Sequence, residues 1–357
     1  MAQDNEEQDT LTTPATASRL RAIAAALRLD EGAFYRALAL AGQYPDKAAW
    51  ARAVERALLI SGAALIIAGV ASFFAYNWAG LHKFAKFGLI QFGMIAAVFV
   101  AWRKGPDSPS GKAALFAAAF LTGILLAVYG QVYQTGADPY GLFLGWALLI
   151  LGWALIGRQP GIWLLMVVLA NLTLILYWTQ VLNPPANWTG ELARAFGPAF
   201  WLSYMVSDFR LAQWVFALNA VALVAWEFLS ARRVSWMVGR WVPRVLAVFA
   251  LTVIVISTVI IIFSSHYGIH NSTPWLNPLL FFAFIGVALW FYQRRRHDLF
   301  VLAACMMSII VVVTSVVARG MPKDVGSLLF LSLLVVGQTA AAATWLRHVA
   351  ASWRNAE

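Results

Sequence analysis

The sequence predicts an all-α fold: a polytopic transmembrane helix bundle of about ten spans, preceded by a short N-terminal cytoplasmic helical segment. Three observations carry this. Of 357 residues, 61% are hydrophobic and only 12% charged, against about 25% charged in an ordinary soluble domain, and the mean hydropathy is +0.72. Apolar runs long enough to cross a hydrocarbon core of about 30 Å recur almost to the C-terminus, leaving no stretch for a large soluble domain. The basic residues fall in short segments between those runs, so the net charge of +10 reads as membrane topology and not as nucleic-acid binding.

Residues 1–14 are polar and acidic (Asp4, Glu6, Glu7, Asp9) and are expected to be disordered, with no cleavable leader. Residues 15–55 read as a helical cap. From Thr16 to Leu29, Leu20, Ile23, Ala24 and Leu27 recur at helical spacing opposite Arg19, Arg21 and Arg28. Asp30 is placed to cap a second helix bearing Phe34 and Leu38, which Tyr44-Pro45 ends. Asp46 would cap a third, running through Trp50, Arg52 and Arg56 into the first span. Such a cap can orient the bundle, dock a partner or lie on the membrane surface.

The spans are expected at about 57–76, 87–102, 113–132, 140–157, 162–182, 211–230, 243–264, 274–292, 299–318 and 326–346. Residues 56–182 thus hold the first five, 211–348 the last five, and 349–357 form a tail. The long connection 183–210 carries Trp188, Phe196, Phe200, Trp201 and Tyr204, and is expected to lie against the membrane or the bundle. On one side of the threading fall Lys47, Arg52, Arg56, Arg103, Lys104, Lys112, Arg158, Arg232, Arg233, Arg240, Arg244, Arg294, Arg295, Arg296, Arg347 and Arg354; on the other, only Lys83, Lys86, Arg194, Arg210, Arg319 and Lys323. The positive-inside rule therefore puts both termini in the cytoplasm. Residues 77–86, with Trp78, Leu81, Lys83, Phe84 and Lys86, are expected to form a short interfacial segment.

The densest polar run, Gly130-Gln131-Val132-Tyr133-Gln134-Thr135-Gly136-Ala137-Asp138-Pro139-Tyr140, closes the third span. In a helix that continued so far, Gln131, Gln134 and Asp138 would share one face. Asp138 before Pro139 equally reads as an N-cap with proline at the first helical position. A tight external turn, a ligand- or ion-facing site and a subunit contact are all compatible with it. The candidate polar site comprises Asn77, Gln131, Tyr133, Gln134, Asp138 and Tyr140.

The spans themselves are almost free of charge. Glu227, the one acidic residue clearly inside a span, lies about a turn from the cytoplasmic end and can reach toward Arg232 or Arg233. A proton or sodium carrier usually needs a midplane carboxylate, and none is visible. Gln91, Gln131, Gln134, Asn171, Asn219 and Gln338 read first as interhelical hydrogen bonders. Gly141 with Gly145, and Ala64, Ala68 and Ser72, offer small-residue packing faces. His266 and His270, split by Gly268 and lacking a third ligand, make no metal site, and Cys305 has no partner for a disulfide. No phosphate-cradling loop or nucleophilic triad is legible, so no enzymatic activity, cofactor or metal is expected.

Two segments carry a family resemblance. Phe73-Phe74-Ala75-Tyr76-Asn77-Trp78 with Leu81, Lys83-Phe84 and Lys86-Phe87, and Gly130 to Gln134 with Asp138, Tyr140 and Leu142 to Trp146, resemble the bacterial predicted-membrane-protein family called domain of unknown function 2157, over residues of about 20–180. The resemblance implies a bacterial inner-membrane location and no activity. Two functions fit the sequence: binding or moving a small or lipidic solute, or a non-transporting scaffold or sensor acting with a partner membrane protein or a second copy. The expected surroundings are the lipid bilayer, with no nucleic acid.

Overall fold

The computed structural model describes residues 17–41, 50–133, 138–182, 208–263, 275–322 and 324–354, apart from Arg233 and scattered positions within 52–77. The first expected span lies largely outside the described residues, as do Asp46, most of the 183–210 connection, His266 and His270. The chain divides into two compact units, residues 1–82 and 83–357.

In the first unit, α1 (Ala17–Ala26) packs on α2 (Glu31–Leu40). Asp30 caps α2 as expected, its Oδ1 accepting from the Ala33 amide at 3.0 Å, which satisfies one of the free donors of the first turn. The helix stops at Leu40 rather than at Tyr44.

The second unit is a helical bundle. Among the described residues nine helices are long and apolar enough to cross a membrane, and the chain is a multi-pass membrane protein. They are α3 (Lys83–Lys104), α4 (Pro109–Tyr133), α5 (Pro139–Gly157), α6 (Pro160–Tyr177, extended by a π-turn Trp178–Leu182), α7 (Phe209–Ala231), α8 (Trp241–Phe263), α9 (Leu276–Arg294), α10 (Leu299–Arg319) and α11 (Val325–Arg354). Lys83 and Lys86 lie in the first turns of α3, so the expected interfacial segment ends in a turn at Trp78–Gly80. The lysines join the helix because Phe84, Phe87 and Leu89 continue its apolar run.

Punctuation residues set the boundaries. Proline occupies the first turn of α5 and of α6, where its missing donor costs nothing. Aspartate side chains cap α7 (Asp208 to the Arg210 amide, 2.9 Å), α10 (Asp298 to the Phe300 amide, 3.1 Å) and α11 (Asp324 to the Ser327 amide, 2.7 Å). Gly105, between α3 and α4, takes φ 82°, a left-handed conformation that side chains disfavour.

Consecutive helices pack side by side from α3 to α11, and α8 lies between α7, α9 and α10. Two cores result. The smaller gathers Leu115 and Ala119 of α4, Trp146, Ile150 and Ala154 of α5, and Ile162 and Leu169 of α6. Its key is Trp146, whose Nε1 donates to the Ala119 carbonyl at 2.8 Å while its ring lies on Gly123. A Cβ at Gly123 would stand 2.3 Å from that ring. Gly141 and Gly145, expected as a packing face, meet nothing within 4 Å; the close helix approach uses the glycine of α4 instead, because there an indole supplies the opposing surface.

The larger core joins α6 to α10 through Leu211, Phe216, Leu246, Ile254, Phe281 and Leu302. α11, at 30 residues, runs past its expected end to Arg354. It is held to its neighbours by Gln338 Nε2 on Thr314 Oγ1 (3.2 Å) and by Trp353 Nε1 on the Gln293 carbonyl (3.1 Å).

Candidate functional site

The stretch expected to hold the site lies only partly within the described residues. α4 ends at Tyr133, and Asp138 is the N-cap residue of α5, so Gln131 and Asp138 stand on different elements and share no helical face. Gln131 and Asp138 are exposed, while Asn77 and Gln134 lie outside the described residues. Asp138 has the expected capping position with Pro139 behind it, but its side chain makes no capping hydrogen bond. What the region brings together is aromatic: Tyr133 lies 4.8 Å from Tyr129 and 6.1 Å from Phe87, and Tyr140 meets Tyr177 edge-on at 5.2 Å.

Among the described residues, the buried polar and charged contacts concentrate in α6 to α10, at two levels. One is the face where α7 and α9 end and α8 and α10 begin, hereafter the basic face. Glu227, near the end of α7, is buried; Arg232 is not among its partners, and Arg233 lies outside the described residues. Its carboxylate takes Arg240 Nη1 at 2.9 and 3.1 Å, the Tyr292 hydroxyl at 3.0 Å and Arg296 Nε at 3.2 Å, while Arg296 Nη2 donates to its backbone carbonyl at 3.0 Å. The side chain does not reach outward because Arg240, just before α8, folds back over the end of α7.

The same guanidinium turns its other edge to Asp298. Arg240 Nε and Nη2 donate to Asp298 Oδ2 at 3.1 and 3.0 Å, and Arg244 Nε lies 3.2 and 3.1 Å from the two Asp298 oxygens. Asp298 is buried and also caps α10. Burial pushes its carboxyl up, but hydrogen bonds from Arg244 and Arg240 and their charge outweigh this and hold it below the usual carboxylate range. For Arg240, burial favours the neutral form, and the charge of Glu227 with the bonds to Asp298 reverses it. Bidentate geometry of this kind suits arginine and not lysine. Sequence reasoning passed over Asp298, though a signal existed: Glu227 and Asp298 are the only carboxylates between Asp208 and Asp324, a stretch that also holds Arg240, Arg244 and Arg294 to Arg296.

The second level is mostly neutral. Near the middle of α6 and α7, Asn171 and Asn219 exchange hydrogen bonds (Asn219 Nδ2 to Asn171 Oδ1, 2.7 Å; Asn171 Nδ2 to Asn219 Oδ1, 3.3 Å), and each amide also donates to its own helix at the carbonyl four residues back. They are the interhelical bonders expected of them. Toward the face opposite the basic one, Gln213 Nε2 of α7 donates to Asn277 Oδ1 of α9 at 2.6 Å, and Trp178 Nε1 of the π-turn donates to Asp208 Oδ2 at 2.6 Å. Asn277 is fully buried, yet its Nδ2 has no hydrogen-bond partner among the described residues; nor have the buried Thr258 Oγ1, in the last two turns of α8, and Gln180 Oε1, in the π-turn. By helix register these groups all lie within two turns of the helix ends at that face. Among the described residues no cluster of histidine, cysteine and carboxylates could hold a metal, and apart from Asp208 this level offers neutral hydrogen-bonding groups.

Residues 23–163 match the family described as a predicted membrane protein, domain of unknown function 2157, the family that the two sequence motifs resemble. No curated protein and no solved structure matches the chain. The family match ends early in α6, so the ion-pair cluster and most of the buried amides lie beyond it.

Proposed function

We propose that this is a bacterial inner-membrane protein, both termini in the cytoplasm, that binds a small uncharged, hydrogen-bonding solute between α6, α7, α8 and α9. The solute enters from the face opposite the ion-pair cluster. Asn277 carries the reading: its side chain is fully buried, Oδ1 is engaged by Gln213, and Nδ2 has no partner among the described residues. A buried amide left without a partner costs about 1–3 kcal/mol, and the same deficit recurs at Thr258 and Gln180. A neutral molecule offering both donors and acceptors removes it, and the unsatisfied groups, an amide nitrogen, a hydroxyl and an amide oxygen, are themselves uncharged. The basic loops fit the cytoplasmic side by the positive-inside rule, and Arg240 with Glu227 and Asp298 ties the helix ends together there.

The test is reconstitution of the full chain into proteoliposomes and light-scattering measurement of the entry of a panel of polyols and small amides. The expected result is that at least one solute enters faster than into protein-free vesicles, and that Asn277→Leu slows it. A scaffold or sensor role is favoured by one observation, the small share of α11 covered by the rest of the chain. Absence of entry for the whole panel, with a stoichiometric second membrane protein recovered by crosslinking, would select it.

A further inference from the structure

Arg244 is the member of the ion-pair cluster with the most capacity left over. Its Nε is taken by Asp298, but its terminal nitrogens have no hydrogen-bond partner among the described residues, and its side chain is 42% exposed. Three guanidiniums (Arg240, Arg244, Arg296) face two carboxylates in the cluster, so one positive charge is uncompensated, and it lies on the outermost member. The Arg244 guanidinium sits 5.4 Å from the centre of the Phe300 ring.

From that point a groove of about 430 Å³ runs between α8 and α10, with Phe300 at its mouth and Val248, Val255, Ala303, Met307 and Val311 along its walls. The spacing on α8, from Arg244 through Val248 to Val255, keeps them on one helical face. The stretch from Arg244 to Ile256 spans about 18 Å at about 1.5 Å per residue, close to one leaflet of a hydrocarbon core about 30 Å thick. The two hydroxyls in the groove are turned away: Thr252 Oγ1 donates to the Val248 carbonyl and Ser308 Oγ to the Ala304 carbonyl, each at 2.8 Å. The walls are therefore apolar along their length, and the only charge is at one end.

We propose that this groove is a binding site for one anionic glycerophospholipid of the leaflet at the basic face, its phosphate on the free edge of Arg244 and one acyl chain along α8 and α10. A guanidinium edge matches phosphate oxygens two at a time, and Phe300 shields the pair from water. A zwitterionic lipid with a terminal ammonium is disfavoured because Arg294 and Arg295 follow at the end of α9. The site is separate from the amides of α6 to α9, and its test reads lipid and not solute.

Full-length protein in a mild neutral detergent is titrated with phosphatidylglycerol and, separately, with phosphatidylcholine of the same chains, and bound lipid is counted by native mass spectrometry. One phosphatidylglycerol is expected to bind in preference to phosphatidylcholine, and Arg244→Gln is expected to weaken it about ten- to hundredfold, the worth of a charged hydrogen bond. Ala303→Trp, which fills the groove and leaves the ion pairs in place, is expected to lose the bound lipid even if Arg244→Gln fails to fold. Arg319→Gln, at the other face, is expected to change nothing. Equal retention of the two lipids, or an Ala303→Trp variant that still holds phosphatidylglycerol, would overturn the proposal. So would displacement of the lipid by equimolar inorganic phosphate, which would make this an anion site without a chain.

Discussion

Arg240 and Asp298, 58 positions apart, meet at 3.0 Å with both edges of the pairing made by one guanidinium. Through this contact the start of α8 is joined to the start of α10, and through Glu227 to the end of α7. Neither carboxylate is accessible enough to be solvated alone, so each depends on the arginines.

Removing the charge but keeping the cap isolates that dependence. Asp298→Asn retains a good N-cap residue and loses both ion pairs. Its cost is expected at about 2–3 kcal/mol, between an exposed pair and a fully buried one, because the Arg240 and Arg244 side chains are 27% and 42% exposed. An unchanged thermal unfolding midpoint in detergent would contradict it.

Acid should act on the same residue. The folded carboxyl of Asp298 is held below its ordinary value of 3.8, so its contribution is fully present above that value and disappears as pH falls through the lower, folded one. Wild-type stability is expected to be flat on this account from neutrality down to about pH 5 and to decline below about pH 4, and Asp298→Asn should flatten the acid limb. A wild-type and variant profile of the same shape would refute the assignment.

At Gly123 the expected effect is steric. Gly123→Ala places a methyl group 2.3 Å from the Trp146 ring and should cost about 1–3 kcal/mol as overpacking. Combining it with Trp146→Leu should recover part of the loss, which a thermodynamic cycle measures; strictly additive losses would remove the contact as the cause.

The Asn171–Asn219 pair should be modest. Paired amides in membranes couple by about 0.6 kcal/mol on average and at most about 1.7. A cycle with Asn171→Leu and Asn219→Leu that exceeds this range would show the pair to be more than a helix joint.

Span existence was legible in the sequence because it is a local property: hydropathy over some twenty residues, with an aspartate or proline at several of the starts. Asp30, Asp138 and Asp208 can be read that way from their neighbours alone. What could not be read is pairing between elements. Glu227 has Arg232 near in sequence, yet Arg240 reaches it, because the turn Ser235–Met237 reverses the chain. The Gln131 to Asp138 run is a second case: a continuous helical register and a cap before Pro139 are equally legible from neighbouring residues, and α4 ends at Tyr133 while Pro139 opens α5.

α11 measures about 45 Å at about 1.5 Å per residue, half again the thickness of a hydrocarbon core, so it must tilt or overhang. Its last turn is fastened to α9 where the Trp353 indole meets the Gln293 carbonyl, and the next residue back, Tyr292, holds Glu227 by its hydroxyl. The C-terminal overhang is thus a lever arm whose fulcrum is α9, and a load on its final turns is delivered two hydrogen bonds away to the carboxylate that Arg240 clasps.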